Sequence, residues 1–174
     1  MKNNEPFALF IRGTSGSGKS TVAYAIAVEE KGVLLGHDTF LFDLLPCKPE
    51  TREHFELGNR HLFSCFGNSI TAKKNIIVEG VLASFDKRMN DFQIEPMLML
   101  AKRKKYRIIR VLLTSTPEVA QKRMKKRGTV VPVDIYQKLA RAIRKTHHKE
   151  EFVIDTSALS QEELIQKVRA LISN

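Results

Sequence analysis

Apolar runs of strand length alternate with helix-length stretches along this chain of 174 residues. The runs are rich in aliphatic and β-branched residues, which is typical of buried strands. They cover residues 8–12, 33–38, 75–80, 107–113 and 152–155. Strands that alternate with helices predict an α/β fold, with a mostly parallel sheet of about five strands and helices on both faces. The length is ordinary for one domain, so we expect residues 1–174 to form a single domain.

The stretches between the predicted strands carry apolar residues at helical spacing. Residues 50–73 predict an amphipathic helix whose apolar stripe includes Phe63. The first helix should end near Glu30, with Gly32 as the glycine just past its C-cap. A capping box at residues 160–163 predicts the start of the last helix.

A glycine-rich motif at residues 13–20, G-T-S-G-S-G-K-S, fits the Walker A pattern G-x-x-x-x-G-K-[ST] at every fixed position. It follows a predicted strand and precedes a predicted helix, as the pattern requires, so a chance glycine-rich turn is the weaker interpretation. The N–H groups of such a loop form a nest for phosphate, a lysine adds charge at the β and γ phosphates, and a serine hydroxyl can bind Mg²⁺. The motif therefore predicts a P-loop NTPase fold with a nucleoside triphosphate site. Its predicted nucleotide-binding residues are Gly13, Thr14, Ser15, Gly16, Ser17, Gly18, Lys19, Ser20 and Thr21.

Two acidic residues follow predicted strands, at the edge of a parallel sheet where ligands bind. Asp38 follows the second strand and is our candidate for the general base that takes a proton from an acceptor hydroxyl; an N-cap role is the alternative. Glu79 ends the third strand and precedes Gly80, as a Walker-B-like carboxylate would. It is a candidate, with Ser20, for the Mg²⁺ site or for acceptor binding, and a cap of the next turn is an equal alternative.

Four arginines are candidate ligands of phosphate or substrate. Arg123 and Arg127 are four residues apart on one predicted helix, so they share a face and can both point at a triphosphate, in a short lid of about residues 123–133. With Lys19 and Asp38 they complete the predicted catalytic set. Arg52 and Arg60 lie on polar positions of an amphipathic helix and could meet a substrate, although a solvated face is the commoner explanation.

The net charge of +10 is concentrated in one segment. Residues 102–149 hold sixteen Lys or Arg against two acids, whereas the rest of the chain carries a charge of −4. Such a segment is an RNA surface or a basic lid over a triphosphate. Cys47 and Cys65 have no metal-binding spacing, so we expect them to be reduced. No apolar run suits a membrane span or a signal peptide, which favours a cytoplasmic protein without a membrane partner.

These motifs resemble those of small P-loop kinases of the adenylate-kinase-like superfamily, especially relatives of polynucleotide kinase, gluconate kinase, chloramphenicol phosphotransferase and zeta toxins. Beside the P-loop and Asp38, the resemblance rests on Val78-Glu79-Gly80, on residues 123–127 and on residues 153–157. It implies ATP and Mg²⁺ as cofactors, Asp38 as the base and two lid arginines. It also implies adenine near the lid helix and the loop after Asp155.

One position departs from this pattern. Polynucleotide kinases tend to carry an arginine three residues after the base, and here that position is Leu41, within an apolar segment over residues 40–45 that we interpret as a lid or substrate wall. The departure favours a small or partly apolar acceptor over a nucleic acid.

The sequence thus favours an ATP-dependent kinase that phosphorylates a hydroxyl of a small molecule or nucleotide sugar. A polynucleotide 5′-hydroxyl kinase or RNA-binding NTPase is the first alternative, prompted by the basic segment. A nucleotide-dependent switch without phosphoryl transfer is the second; the sequence has no N-K-x-D that would read guanine.

Overall fold

The structure, a computed structural model, describes residues 5–43, 52–82 and 94–173, and of Arg52 only the backbone. Its strands are β1 (Phe7–Gly13), β2 (Val33–Gly36), β3 (Ile76–Gly80), β4 (Arg107–Thr114) and β5 (Phe152–Asp155). Its α-helices are α1 (Lys19–Glu29), α2 (Arg52–Thr71), α3 (Glu95–Arg103), α4 (Pro117–Lys126), α5 (Val133–Lys145) and α6 (Gln161–Ser173), and a π-helical turn covers Thr39–Asp43. No helix within these three ranges combines the length and the apolar character needed to cross a bilayer.

The five strands form one parallel sheet in the order β2-β3-β1-β4-β5. The central strand β1 is buried along its whole length. Its side chains alternate between two apolar layers. Phe7, Leu9 and Ile11 pack with α1 and α6, whereas Ala8 and Phe10 pack with α2 and α3. The prediction of a parallel α/β sheet with helices on both faces is confirmed.

The prediction that Gly32 follows the C-cap of α1 is wrong by one residue. Lys31 occupies that position in a left-handed conformation, with φ 49°. The N–H groups of Lys31 and Gly32 donate to the carbonyl oxygens of Val28 and Ala27, which is the Schellman arrangement. Gly32 also lies close to β3, because a Cβ there would be 2.7 Å from Cδ1 of Ile77 and 3.0 Å from the Asn75 carbonyl oxygen.

The predicted apolar stripe of α2 is wrong at one position. Leu62, Phe66 and Ile70 are buried against the sheet, whereas Phe63 is 41% exposed. Consecutive residues of a helix point about 100° apart, and with Leu62, Phe66 and Ile70 directed at the core, Phe63 lies at the edge of the buried face. The apolar wall proposed for residues 40–45 is described as far as Asp43; Leu44 and Leu45 lie outside the described residues, as does Cys47. Cys65 is a free thiol.

A buried ion pair joins the end of β1 to the start of β5. Arg12, the residue before the P-loop, donates from Nε and Nη2 to the two carboxylate oxygens of Glu151, at 2.6 and 2.9 Å. Its remaining donors bind the hydroxyl and carbonyl oxygens of Thr146, at 2.7 and 2.8 Å, and the carbonyl oxygen of Ile143 at 3.3 Å. Both charged side chains are almost fully buried. The pair therefore holds the end of α5 and the α5–β5 connection against the strand that carries the P-loop.

Glu151→Gln should lower the free energy of unfolding by about 3–5 kcal/mol, because it leaves a buried guanidinium without its counter-charge. Urea denaturation measures the loss. The double change Arg12→Met with Glu151→Leu should recover much of it, since no buried charge then remains. The matched control is Arg169→Ala, which breaks the exposed pair with Glu29 and should cost about 0–1 kcal/mol. If E151Q and R169A lowered the free energy of unfolding equally, the buried pair would contribute no more to stability than the exposed one.

Candidate active site

The P-loop lies between β1 and α1, against the backbone of two other elements. Gly13 pairs in register with Leu113 of β4, and a Cβ at Gly13 would collide with the Leu113 carbonyl oxygen. Gly16 has φ 78°, a left-handed conformation, and a Cβ there would lie 2.7 Å from the carbonyl oxygen of Ala120 in α4. Glycine is needed at these two positions because the loop approaches β4 and α4 more closely than a side chain allows.

Lys19 is held inside the loop. Its Nζ donates to the carbonyl oxygen of Thr14 at 3.2 Å, and its side chain is buried. Burial lowers the pKa of Lys19, while the nearby carboxylates of Glu79 and Asp38 act in the opposite direction. The amine is therefore placed across the loop with two acidic groups close enough to favour its charged form.

Asp38, which follows β2, and Glu79, near the end of β3, lie close to the P-loop. Ser20 Oγ lies 3.3 Å from each carboxylate oxygen of Glu79 and can donate to either. Burial raises the pKa of Glu79, the charge of Lys19 lowers it, and the nearby Asp38 carboxylate raises it further. Asp38 is exposed. The structure thus brings together four of the residues that the sequence singled out, although their roles stay predictions.

A buried histidine positions the segment that carries Asp38. His37 is 2% exposed, and its Nε2 lies 2.9 Å from Oδ1 of Asn59 in α2. Burial lowers the pKa of His37, whereas the Asn59 contact raises it. A Cβ at Gly80 would lie 2.7 Å from Cβ of His37, so the end of β3 touches this side chain directly. His37 therefore lies between β3 and α2 and anchors the backbone next to Asp38.

The two predicted lid arginines differ in their surroundings. Arg123 donates to the carbonyl oxygen of Thr156 at 2.7 Å and to its hydroxyl at 3.0 Å, with longer bonds to the carbonyl oxygens of Gly16 and Leu159 at 3.4 Å. Its donors thus tie α4 to the P-loop and to the β5–α6 connection. Arg127 is exposed and donates from Nη2 to the Thr21 hydroxyl at 3.3 Å. The catalytic role of both arginines stays a prediction.

A cavity of about 340 Å³ lies between the start of α1, the end of α4 and the start of α6. Gly18, Thr21, Arg127 and Leu159 are among its lining residues. The resemblance to small kinases implies adenine beside the lid helix and the loop after Asp155, and the cavity lies in that place. Adenine binding there stays a prediction.

The π-helical turn and α2 contain the residues that the sequence predicts for the acceptor side. Phe40 and Leu41 are buried, whereas Phe42 is 49% exposed. A Cβ at Gly58 of α2 would lie 2.7 Å from the Phe40 carbonyl oxygen, so the turn and the helix are in direct backbone contact. Arg60 is exposed on α2. The side chain of Arg52 lies outside the described part of the chain, and a substrate contact by either arginine stays a prediction.

Sequence reasoning missed the residues that support the loop from α5. Thr14 Oγ1 lies 3.3 Å from the hydroxyl of Tyr136, and that hydroxyl lies 3.2 Å from the Ser115 carbonyl oxygen. Tyr136 is buried at the base of the predicted lid. The signal for it was weak, because one aromatic residue in a helix between exposed neighbours does not reveal a partner 122 residues away.

The oxygen donors of Ser20 and Glu79 fit Mg²⁺. This ion prefers oxygen ligands and is usually bound by one or two carboxylates together with substrate phosphates, without a dedicated protein cage. Residues 5–43, 52–82 and 94–173 contain no cluster of three or more His, Cys, Asp or Glu that could bind a metal. A serine and one carboxylate beside the phosphate nest are sufficient protein ligands.

A family model described as an AAA domain matches residues 9–146, which is more than half of the chain. The chain belongs to this family, AAA_33. The match to the family model begins within β1 and ends just after α5, so it includes the P-loop, Asp38, Glu79 and both predicted lid arginines. No curated protein matches the chain in sequence.

Solved kinase structures share the fold of the AAA_33 chain over nearly its whole length. A sugar kinase from Janibacter sp. HTCC2649 is 20% identical, with a TM-score of 0.66 over 96% of this chain and 94% of that one. A gluconokinase from Sinorhizobium meliloti is 17% identical, with a TM-score of 0.63 over 96% and 91%. A thymidylate kinase from Candida albicans is 13% identical, with a TM-score of 0.64 over 97% and 91%. The fold that the resemblance to small P-loop kinases implies is confirmed.

Glu79→Gln should raise the melting temperature at about pH 8, where an ordinary glutamate is ionised. Burial raises the pKa of Glu79, so the folded protein binds a proton there more tightly than the unfolded chain does. Stability therefore falls as pH rises through the interval between the ordinary pKa and the raised one, and it stays lower above that interval. The advantage of E79Q should shrink at about pH 4, where the unfolded chain also binds the proton. Thermal unfolding monitored by circular dichroism measures both values.

Glu163→Gln is the matched control, because hydrogen bonds from the backbone and side chain of Ser160 lower the pKa of Glu163. This exposed carboxylate contributes stability above its ordinary pKa, and the contribution is lost as pH falls through the lowered one. E163Q should therefore melt below the wild-type protein at neutral pH. If E79Q also melts lower there, burial does not dominate the environment of Glu79.

Proposed function

We propose that this protein is an ATP-dependent kinase that transfers the γ-phosphate to a hydroxyl of a small-molecule or nucleotide-sugar acceptor. The observation that carries the proposal is the meeting of Lys19, Ser20, Asp38 and Glu79 at one edge of the sheet. A P-loop alone supports nucleotide binding, whereas an exposed carboxylate beside it adds a base for an acceptor. The fold shared with a sugar kinase, a gluconokinase and a thymidylate kinase supports the same class of reaction.

The P-loop binds and orients the phosphates in this proposal. Its N–H groups lie at the positive end of α1, where an anion is stabilised. Lys19 adds a charge that the nearby Glu79 and Asp38 carboxylates help to retain despite its burial. Arg127, exposed at the end of α4, is the arginine with donors available for charge that develops during transfer.

Ser20 and Glu79 would hold Mg²⁺, which neutralises charge on the phosphates when it is bound. Both side chains contribute oxygen atoms 3.3 Å apart. Glu79 is ionised when it serves this site, so the raised pKa set by burial predicts weaker nucleotide use toward acid pH.

Asp38 would accept the proton of the acceptor hydroxyl on a carboxylate oxygen. The hydroxyl oxygen forms a bond to the γ-phosphorus as the bond between that phosphorus and the β–γ bridging oxygen breaks, and ADP leaves. Asp38 is exposed, so an acceptor can reach it, and its neighbour His37 is fixed by burial and by Asn59. The catalytic assignment therefore places the base on a rigid support.

The basic segment keeps a polynucleotide kinase or RNA-binding NTPase as the second candidate. Lys125 and Lys126 on α4 and Arg141 and Arg144 on α5 are exposed, and a nucleic-acid backbone would neutralise such charges. Leu41 argues against binding of a nucleic-acid acceptor, because the Leu41 side chain is buried and packs with Phe55.

Asp38→Asn should keep nucleotide affinity and lose phosphoryl transfer by about 10²–10⁴-fold, as expected when a general base is removed. ADP release is measured with Mg²⁺, ATP and pooled acceptors that include nucleosides, sugars, nucleotide sugars, aminoglycosides and a 5′-hydroxyl oligonucleotide. Acceptor-stimulated release in the wild-type protein would name the substrate class.

Lys19→Ala is the comparison variant, because it should lose nucleotide use altogether, whereas Asp43→Asn changes a nearby exposed acid that is not assigned to the reaction. Full transfer by D38N would remove Asp38 as the base. ATP binding that no acceptor pool stimulates would favour the nucleotide-dependent switch.

Binding of a labelled oligonucleotide tests the second candidate. A nucleic-acid surface of several lysines and arginines predicts an affinity that falls steeply with salt, because counterions are released on binding. Fluorescence anisotropy between about 50 and 200 mM salt covers the range in which such complexes weaken most. If the acceptor is a small molecule, we expect the oligonucleotide to bind weakly at low salt and not to stimulate ADP release. Tight, salt-sensitive binding with stimulated release would replace the small-molecule acceptor by a polynucleotide.

A further inference from the structure

A second cavity, of about 370 Å³, opens between α3, β4 and the α5–β5 connection. Arg110 lies in the middle of β4, in register with Phe10 and three residues before the position that meets Gly13. At 3.3 Å per strand residue, Arg110 is about 10 Å along the sheet from the start of the P-loop. The cavity shares no lining residue with the cavity beside α1, α4 and α6.

Arg110 is nine-tenths buried and lines this cavity. Within the described parts of the chain, its guanidinium makes no hydrogen bond or ion pair, and its Nε is fully buried without a partner. Arg12, the other deeply buried arginine of the same sheet, has Glu151, Thr146 and a carbonyl oxygen for its donors. A buried guanidinium is ordinarily paired, because removing a charge from water is costly.

A second basic residue lines the cavity with Arg110. Lys102 adds positive charge from the last turn of α3, and the imidazole of His148 lines the cavity from the α5–β5 connection. Glu150 is the one acidic residue among the described lining residues. Its side chain is 73% exposed, and it lies 4.0 Å from Nδ1 of His148. The carboxylate of Glu151, the next residue in the sequence, is already paired with Arg12.

We propose that this cavity is a binding site for a small organic oxyanion, whose phosphate or carboxylate group pairs with Arg110 and Lys102. The planar guanidinium binds either kind of oxyanion through two parallel N–H donors. Apolar atoms of Leu98, Met99 and Tyr106 line the remainder of the cavity and suit a small organic body. The volume lies within the range of about 300–1,000 Å³ for small-molecule sites. This inference does not rest on the proposed kinase reaction.

The Nε–Hε resonance of Arg110 is a direct reporter of such a ligand. The ¹⁵N-labelled full-length protein is titrated with phenyl phosphate, benzoate or inorganic phosphate at constant ionic strength, with chloride as the reference anion. Arg110→Lys identifies the resonance by its loss. We expect a saturable shift with at least one of the first two probes, and a weaker response to inorganic phosphate because it lacks an organic body. Backbone amides of the P-loop report phosphate that binds there, so the two sites are read separately.

Substitutions of the other charged residues that line the cavity test whether charge drives oxyanion binding, while Arg110 stays in place. Lys102→Met should weaken binding about threefold, as expected for the loss of one exposed charge. Glu150→Gln should strengthen binding by a similar factor, because it removes the acidic lining residue. Lys145→Met is the matched control: it removes a lysine from the same basic segment, but Lys145 does not line the cavity, so binding should not change.

Two results would overturn the proposal. One is an Arg110 resonance that none of the three probes shifts in a saturable manner. The other is a Glu150→Gln variant that loses as much thermal stability as Arg110→Met, since Glu150 would then be the internal partner of Arg110. Arg110→Lys keeps the charge and serves if Arg110→Met fails to fold.

Discussion

The buried pair of Arg12 and Glu151 is the constraint on which the position of the site depends. Arg12 is the last residue before the P-loop, and its donors bind the end of α5 and the connection into β5. A shift of β1 would leave a buried charge without its partner, which costs more than the loss of packing alone. The loop that follows is fixed in the same way, because Gly13 and Gly16 touch the backbone of β4 and α4. The phosphate nest is therefore held by elements that lie far apart in the sequence.

Much of the fold could be predicted because its signals are local. Buried strands are apolar runs, the Walker A pattern carries its own strand-loop-helix context, and the capping box of Ser160 and Glu163 is closed by the two expected hydrogen bonds. The errors at Gly32 and Phe63 each concern a single position. Lys31 occupies the left-handed position that glycine usually takes, and Phe63 lies at the margin of the apolar stripe of α2, where burial depends on what packs against the helix. Pairing at long range, such as Arg12 with Glu151 across 139 residues, leaves no comparable mark in the sequence.

In the candidate site, too, local signals located some residues, whereas others depend on contacts at long range. Asp38 and Glu79 could be placed near the P-loop because the carboxyl ends of parallel strands meet at one edge of a sheet. The sequence could not place Asn59, Tyr136 and Thr156 near the P-loop. The position of each depends on how a helix or connection lies over that edge of the sheet. Arg123 and Arg127 are four residues apart on one helix, as the sequence shows, but helical spacing does not reveal their different partners. Arg123 donates to Thr156, whereas Arg127 donates to Thr21.

The contact between Gly58 and Phe40 has a consequence for how the surface beside Asp38 can change over evolution. The turn after Asp38 and the helix α2 are too close for a side chain at Gly58, so neither can shift toward the other without a backbone clash. Substitutions that reposition α2 would therefore also require the turn to change. A lineage could then reshape the surface beside Asp38 through helix residues that lie outside it, while the P-loop stays unchanged.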